Sequence, residues 1–130
     1  MTIFALSSGS GASGIAVIRI SGSETSKIIK KITGQELPSP RMASLRKINN
    51  INTSELIDEG IIIWFPGPES YTGEDMAEIH VHGSKAVVLA LQNEISKINN
   101  CRIAEPGEFT KIAFQNGKIN LLKAESIADL

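Results

Sequence analysis

Glu78, His80 and His82 stand two residues apart in the run Met76-Ala-Glu-Ile-His-Val-His82. On a strand that spacing sends all three side chains to one face. A carboxylate there can accept two parallel N–H bonds, matching the donor edge of a pterin or a guanine. The competing reading is a solvated strand glutamate. Two histidines on one face are compatible with a metal ion, but no third His or Cys is spaced to complete a ligand set, so no metal is expected. Arg19 lies inside the apolar run Ile15-Ala-Val-Ile-Arg-Ile20. It reads either as an outward-facing residue on a half-exposed sheet or as an anion ligand on a rigid element. Glu74 and Asp75 occupy the loop before Glu78, and nothing else supports a paired-carboxylate hydrolase. Lys118 by itself is an ordinary exposed lysine. The single cysteine, Cys101, has no partner for an internal disulfide. No residue reads as a nucleophile or general base, so no catalytic residue is expected.

Gly9-Ser-Gly-Ala-Ser-Gly14 matches G-x-G-x-x-G letter for letter. A dinucleotide fingerprint must open a helix, whereas Ile15 to Ile20 is patterned as a strand, so a flexible loop is the better reading. No P-loop sequence is present. Lys plus Arg number 13 and Asp plus Glu 14, a net charge of −1. That balance argues against a basic nucleic-acid module acting alone. No apolar run nears the roughly 20 residues of a membrane helix. The N-terminus lacks a signal-peptide pattern, so a cytoplasmic location is expected.

These residues need elements to hold them. Thr2–Leu6 and Ile15–Ile20 read as strands around a Gly/Ser loop, Ser7 to Gly14. A helix follows, capped by Ser23, with Ile28, Ile29 and Ile32 on one face and Gly34 as its stop. Pro38 and Pro40 exclude regular structure around them. Strands are expected at Ala43–Ile48, Glu59–Phe65 and Met76–Val81, with Asn49 to Ser54 and Ser70 to Asp75 as polar connections. Gly83 opens a second helix with Val87, Leu91, Ile95 and Ile98 as its stripe. A short strand at Cys101–Ala104 leads to a third helix with Pro106 in its first turn, ended by Asn116-Gly117. A fourth begins near Asn120 and has no stop signal. The expected class is α+β, a mixed β-sheet backed by helices. The missing stop signal reads as a truncation within that last helix.

Three stretches carry a resemblance. They are Gly14-Ile-Ala-Val-Ile-Arg-Ile-Ser-Gly22, the run from Phe65 to Gly83, and Arg102 to Leu121 with its continuation Lys123-Ala-Glu-Ser-Ile-Ala-Asp-Leu130. Together they closely resemble the N-terminal region of the MnmE/TrmE family of tRNA-modification GTPases, over essentially the whole chain. The resemblance implies a folate-binding fold like that of glycine-cleavage T-protein over 1–118, followed over 119–130 by the first helix of a truncated helical domain. It implies a homodimer formed through this domain. It also implies binding of a tetrahydrofolate derivative (5-formyl- or 5,10-methylene-tetrahydrofolate) through the matching Arg19, Glu78 and Lys118. In the family's Gly-rich stretch a proline and an arginine often stand where this chain has Gly9 to Ser13. The full-length parent, by the same resemblance, is a GTP hydrolase using potassium and magnesium, whose GTPase domain lies beyond this chain. With the flavoprotein MnmG/GidA it adds a carboxymethylaminomethyl-type group to C5 of the wobble uridine of certain tRNAs. The fragment alone is not expected to be an enzyme. Two alternatives are a structural dimerisation module with a vestigial folate site and a stand-alone T-protein-like transferase.

Overall fold

The computed structural model describes residues 1–7 and 14–119. Most of the Gly/Ser loop and the expected fourth helix lie outside the described residues. Six strands form one sheet: β1 (Thr2–Leu6), β2 (Ile15–Ser21), β3 (Ser44–Asn49), β4 (Leu56–Phe65), β5 (Met76–His82) and β6 (Cys101–Ile103). Their spatial order is β3-β4-β5-β2-β1-β6. All pairings are antiparallel except β1 with β6, so the sheet is mixed and the fold α+β, as expected.

Period-two patterning divides the sheet into two faces. Ala16, Ile18 and Ile20 of β2, Ile62 and Trp64 of β4, and Ala77, Ile79 and Val81 of β5 are buried in one core. Helices α1 (Thr25–Thr33) and α2 (Lys85–Ser96) cover that face with Ile28, Ile29, Ile32, Leu91 and Ile95, all fully buried. At about 1.5–3 kcal/mol per buried aliphatic side chain, this stripe-on-sheet contact is the main stabilising layer. The alternate residues, Arg19, Glu78 and His80 among them, point to the opposite face and are half-buried.

Three helix starts differ from expectation. Ser23 does not cap α1; Glu24 holds that position and makes no side-chain cap bond. The turn is secured otherwise, by the Thr25 hydroxyl donating to the Gly22 carbonyl at 2.8 Å and the Glu24 N–H donating to Thr2 Oγ1 at 2.8 Å. Gly22 permits this approach, since a Cβ there would lie 2.5 Å from Thr2 Oγ1. Helix α2 starts after Ser84, not Gly83, because the serine oxygen accepts from the Val87 N–H at 3.1 Å. Helix α3 (Glu108–Gln115) begins after Gly107, at φ 76°, so Pro106 precedes the helix instead of entering its first turn. Gly34 and Asn116-Gly117 end α1 and α3 as the sequence implies.

Candidate functional site

Strands β2 and β5 are neighbours, and their register sets Arg19 directly opposite Glu78 on the face that α1 and α2 leave uncovered. Arg19 Nη2 lies 3.7 Å from Glu78 Oε2, with both side chains partly buried. That separation is attraction without a closed hydrogen bond. The other carboxylate oxygen, Oε1, accepts from His80 Nε2 at 3.0 Å. Beside the pair is a cleft of about 320 Å³ lined by Arg19, Phe65, Tyr71, Met76 and Glu78. Phe65 and Met76 face each other across β4 and β5, and the Arg19 guanidinium carbon sits 5.9 Å from the Tyr71 ring centroid. The result is a slot with apolar and aromatic walls and one charge of each sign, the composition of a pocket for a flat, polar-edged molecule.

The loop of residues 66–75 builds one wall. The Gly67 N–H donates to Asp75 Oδ1 at 2.8 Å, and the Ser21 hydroxyl contacts Thr72 Oγ1 and Glu74 Oε1, each at 2.8 Å. Glu74 and Asp75 therefore serve the loop's own structure. The loop also leans on α3: Tyr71 Oη is 3.1 Å from Thr110 Oγ1, and Asn116 Nδ2 donates to the Thr72 carbonyl at 2.7 Å. Lys118 Nζ donates to the Pro68 carbonyl at 2.8 Å. Lys118 does not line the cleft; it is tethered to the loop that supplies Tyr71. Of the three residues expected at a site, the fold thus brings Arg19 and Glu78 together and ties Lys118 to the loop that forms the wall.

His82 is drawn elsewhere. Its ring Nδ1 and backbone N–H both donate to the Asp58 carboxylate, at 2.9 Å each. Burial opposes ionisation of Asp58, but the hydrogen bonds from His82 and from the Glu59 backbone outweigh it and hold the carboxyl below its usual range. Burial pushes the Cys101 thiol up. No three His, Cys, Asp or Glu among the described residues converge to hold a metal ion. No helix among them is long and apolar enough to cross a membrane.

The family model of the GTP-binding protein TrmE N-terminus matches residues 2–118. The chain belongs to the TrmE N-terminal family. It is 75% identical over 130 residues to the tRNA modification GTPase MnmE of Pelagibacter ubique, covering all of this chain and 29% of that protein. It is 51% identical over 129 residues to the enzyme of the same name from Brucella anthropi, covering 99% of this chain and 29% of that protein. It is 48% identical over 130 residues to the mitochondrial 5-taurinomethyluridine tRNA synthase subunit GTPB3 of Homo sapiens, covering 99% of this chain and 26% of that protein. The chain thus spans under a third of the length of these relatives. The TrmE N-terminal match includes every residue of the cleft.

Sequence reasoning missed three cleft residues, Phe65, Tyr71 and Met76. Met76 was within reach, since it shares the alternating face of Glu78. Tyr71, the chain's one tyrosine, sits in a polar loop that carries no periodic signal. His80 was placed on the correct face but not recognised as the partner of Glu78.

Proposed function

We propose that this chain is the tetrahydrofolate-binding and dimerisation domain of a tRNA-modification GTPase. The observation that carries the reading is the opposed Arg19–Glu78 pair at the mouth of a slot walled by Phe65, Tyr71 and Met76. A pterin ring fits such walls, and its N–H edge finds an acceptor in Glu78. Arg19 is the cation for carbonyl oxygen or the anionic glutamate tail, and Lys118 is a second cation once it leaves the Pro68 carbonyl. The folate, 5-formyl- or 5,10-methylene-tetrahydrofolate, supplies a one-carbon unit when bound, while these residues bind and orient it.

The dimer half of the reading is supported by the uncovered sheet face. Leu45 and Ile15 are 63% and 61% exposed there, and Ile61 and Ile63 are only half-buried. A second copy is the economical cover for such a face. On this reading residues 1–118 form the domain and 119–130 begin a helical one. The whole protein is cytoplasmic, hydrolyses GTP with potassium and magnesium, and works with the flavoprotein MnmG on C5 of the tRNA wobble uridine.

Calorimetry with 5-formyltetrahydrofolate on the dimeric chain and on Glu78→Ala tests the binding claim. A wild-type Kd that weakens by about tenfold or more in the variant is expected from the loss of a charged hydrogen-bond acceptor. Equal affinities would remove Glu78 from the site. Absence of binding by the dimer would leave only a structural module.

A further inference from the structure

We propose that His80 is a positioning residue that keeps Glu78 from closing onto Arg19, so that both charges remain available to a ligand. The inference rests on the reading of this cleft as a binding site. Arginine–carboxylate pairs are frequently bidentate, with N···O distances of about 2.7–2.9 Å. Here the register sets the two residues directly opposite, yet Arg19 Nη2 stops 3.7 Å from Oε2. The Glu78 carboxylate is committed to His80 instead, at 3.0 Å through Oε1.

The layout explains the choice. Along β5 the order is Met76, Glu78, His80, and Met76 and Glu78 line the cleft while His80 does not. His80 therefore holds the carboxylate from the side away from the cleft. Its direct cross-strand neighbours are apolar, Val17 on β2 and Ile61 on β4, and among the described residues its ring bonds to Glu78, along its own strand. The Arg19 guanidinium is held over the Tyr71 ring as a second restraint. An ion pair kept open in this way costs the fold some attraction and gives the site a pre-oriented acceptor and a pre-oriented cation, which a ligand bearing both an N–H edge and an anionic or carbonyl group can engage together.

The test uses two variants, one keeping the shape of His80 and one keeping its donor. In a ligand-free crystal structure of His80→Phe, Glu78 is expected to swing to hydrogen-bond distance of Arg19. In His80→Gln, whose amide N–H has similar reach, it is expected to stay. Titration with 5-formyltetrahydrofolate should show about a tenfold loss of affinity in His80→Phe and recovery to within about threefold of wild type in His80→Gln. A His80→Phe structure with Glu78 unmoved would overturn the proposal, as would folate affinities equal in the wild type and His80→Phe. If neither the wild type nor any variant binds folate, the ligand assignment fails, and the movement of Glu78 in the crystals still decides the role of His80.

Discussion

Asn116 donates its side-chain amide to the carbonyl of Thr72 at 2.7 Å, joining the end of α3 to the loop that carries Tyr71. Thr72 is fully buried, and its hydroxyl meets Ser21 of β2. One wall of the cleft is therefore set by a helix that begins more than thirty residues later in the chain. Asn116→Ala leaves a carbonyl without its partner, a loss of about 1–3 kcal/mol. Urea denaturation should show that loss, and folate affinity should fall with it. A variant as stable as wild type would mean that water replaces the amide.

Tyr71 has two separable roles, a ring facing the cleft and a hydroxyl reaching Thr110. Tyr71→Phe should lower stability by about 1 kcal/mol or less while leaving folate affinity nearly intact. Tyr71→Ala should weaken folate binding by about tenfold through loss of the aromatic wall. Calorimetry beside thermal melts of the two variants separates these outcomes. Equal affinity in both would remove the ring from the site.

Acid should destabilise the protein through identifiable carboxylates. Glu108 accepts from Arg102 and from the Glu105 N–H, and these bonds, the Arg102 pair foremost, lower its carboxyl from 4.5 to about 2. The folded pKa is the lower one, so the stabilisation is complete above the unfolded value and disappears as pH falls from about 4.5 toward 2. In Glu94 burial opposes ionisation, but the Lys97 ammonium and the Ile51 N–H prevail and lower the carboxyl, adding a contribution of the same sign. Melting temperatures of the wild type should therefore drop more between pH 5 and pH 3, about the carboxylate range, than those of Glu108→Gln. Parallel curves would assign the acid sensitivity elsewhere.

Gly60 is the tight point between β4 and β5, since a Cβ there would lie 2.2 Å from the His80 carbonyl oxygen. Gly60→Ala must push the two strands apart beside the Glu78–His80 pair. A stability loss of about 1–3 kcal/mol is expected, with weaker folate binding. Chemical denaturation and calorimetry check both, and a silent substitution would show that the strands part easily at this point.

Much of this architecture could be read from side-chain periodicity. The apolar run from Ile15 to Ile20 announces a buried strand, and Ile28, Ile29 and Ile32 announce a helix with one buried face. The pairing of Arg19 with Glu78 could not be read that way. It depends on β5 lying next to β2 although β3, β4 and α1 intervene in the chain, and period-two patterning carries no information about which strands adjoin. The resemblance carried by Gly14 to Gly22 and by Phe65 to Gly83 supplied those site residues without their geometry. Ser23 misled because capping propensity is local, whereas the turn before α1 is fixed by Thr2, a residue of another strand. Leu56–Asp58 escaped because β4 extends past its apolar run, alongside a register shift in β3 between Ile48 and Asn49.

Lys118, Asn116 and Thr110 each grip the segment from Pro68 to Thr72, one through an ammonium, one through an amide and one through a hydroxyl. Three bonds of different chemistry along one helix and its exit turn act as a hinge plate. The wall that Tyr71 supplies is therefore fixed from α3 as well as from β2.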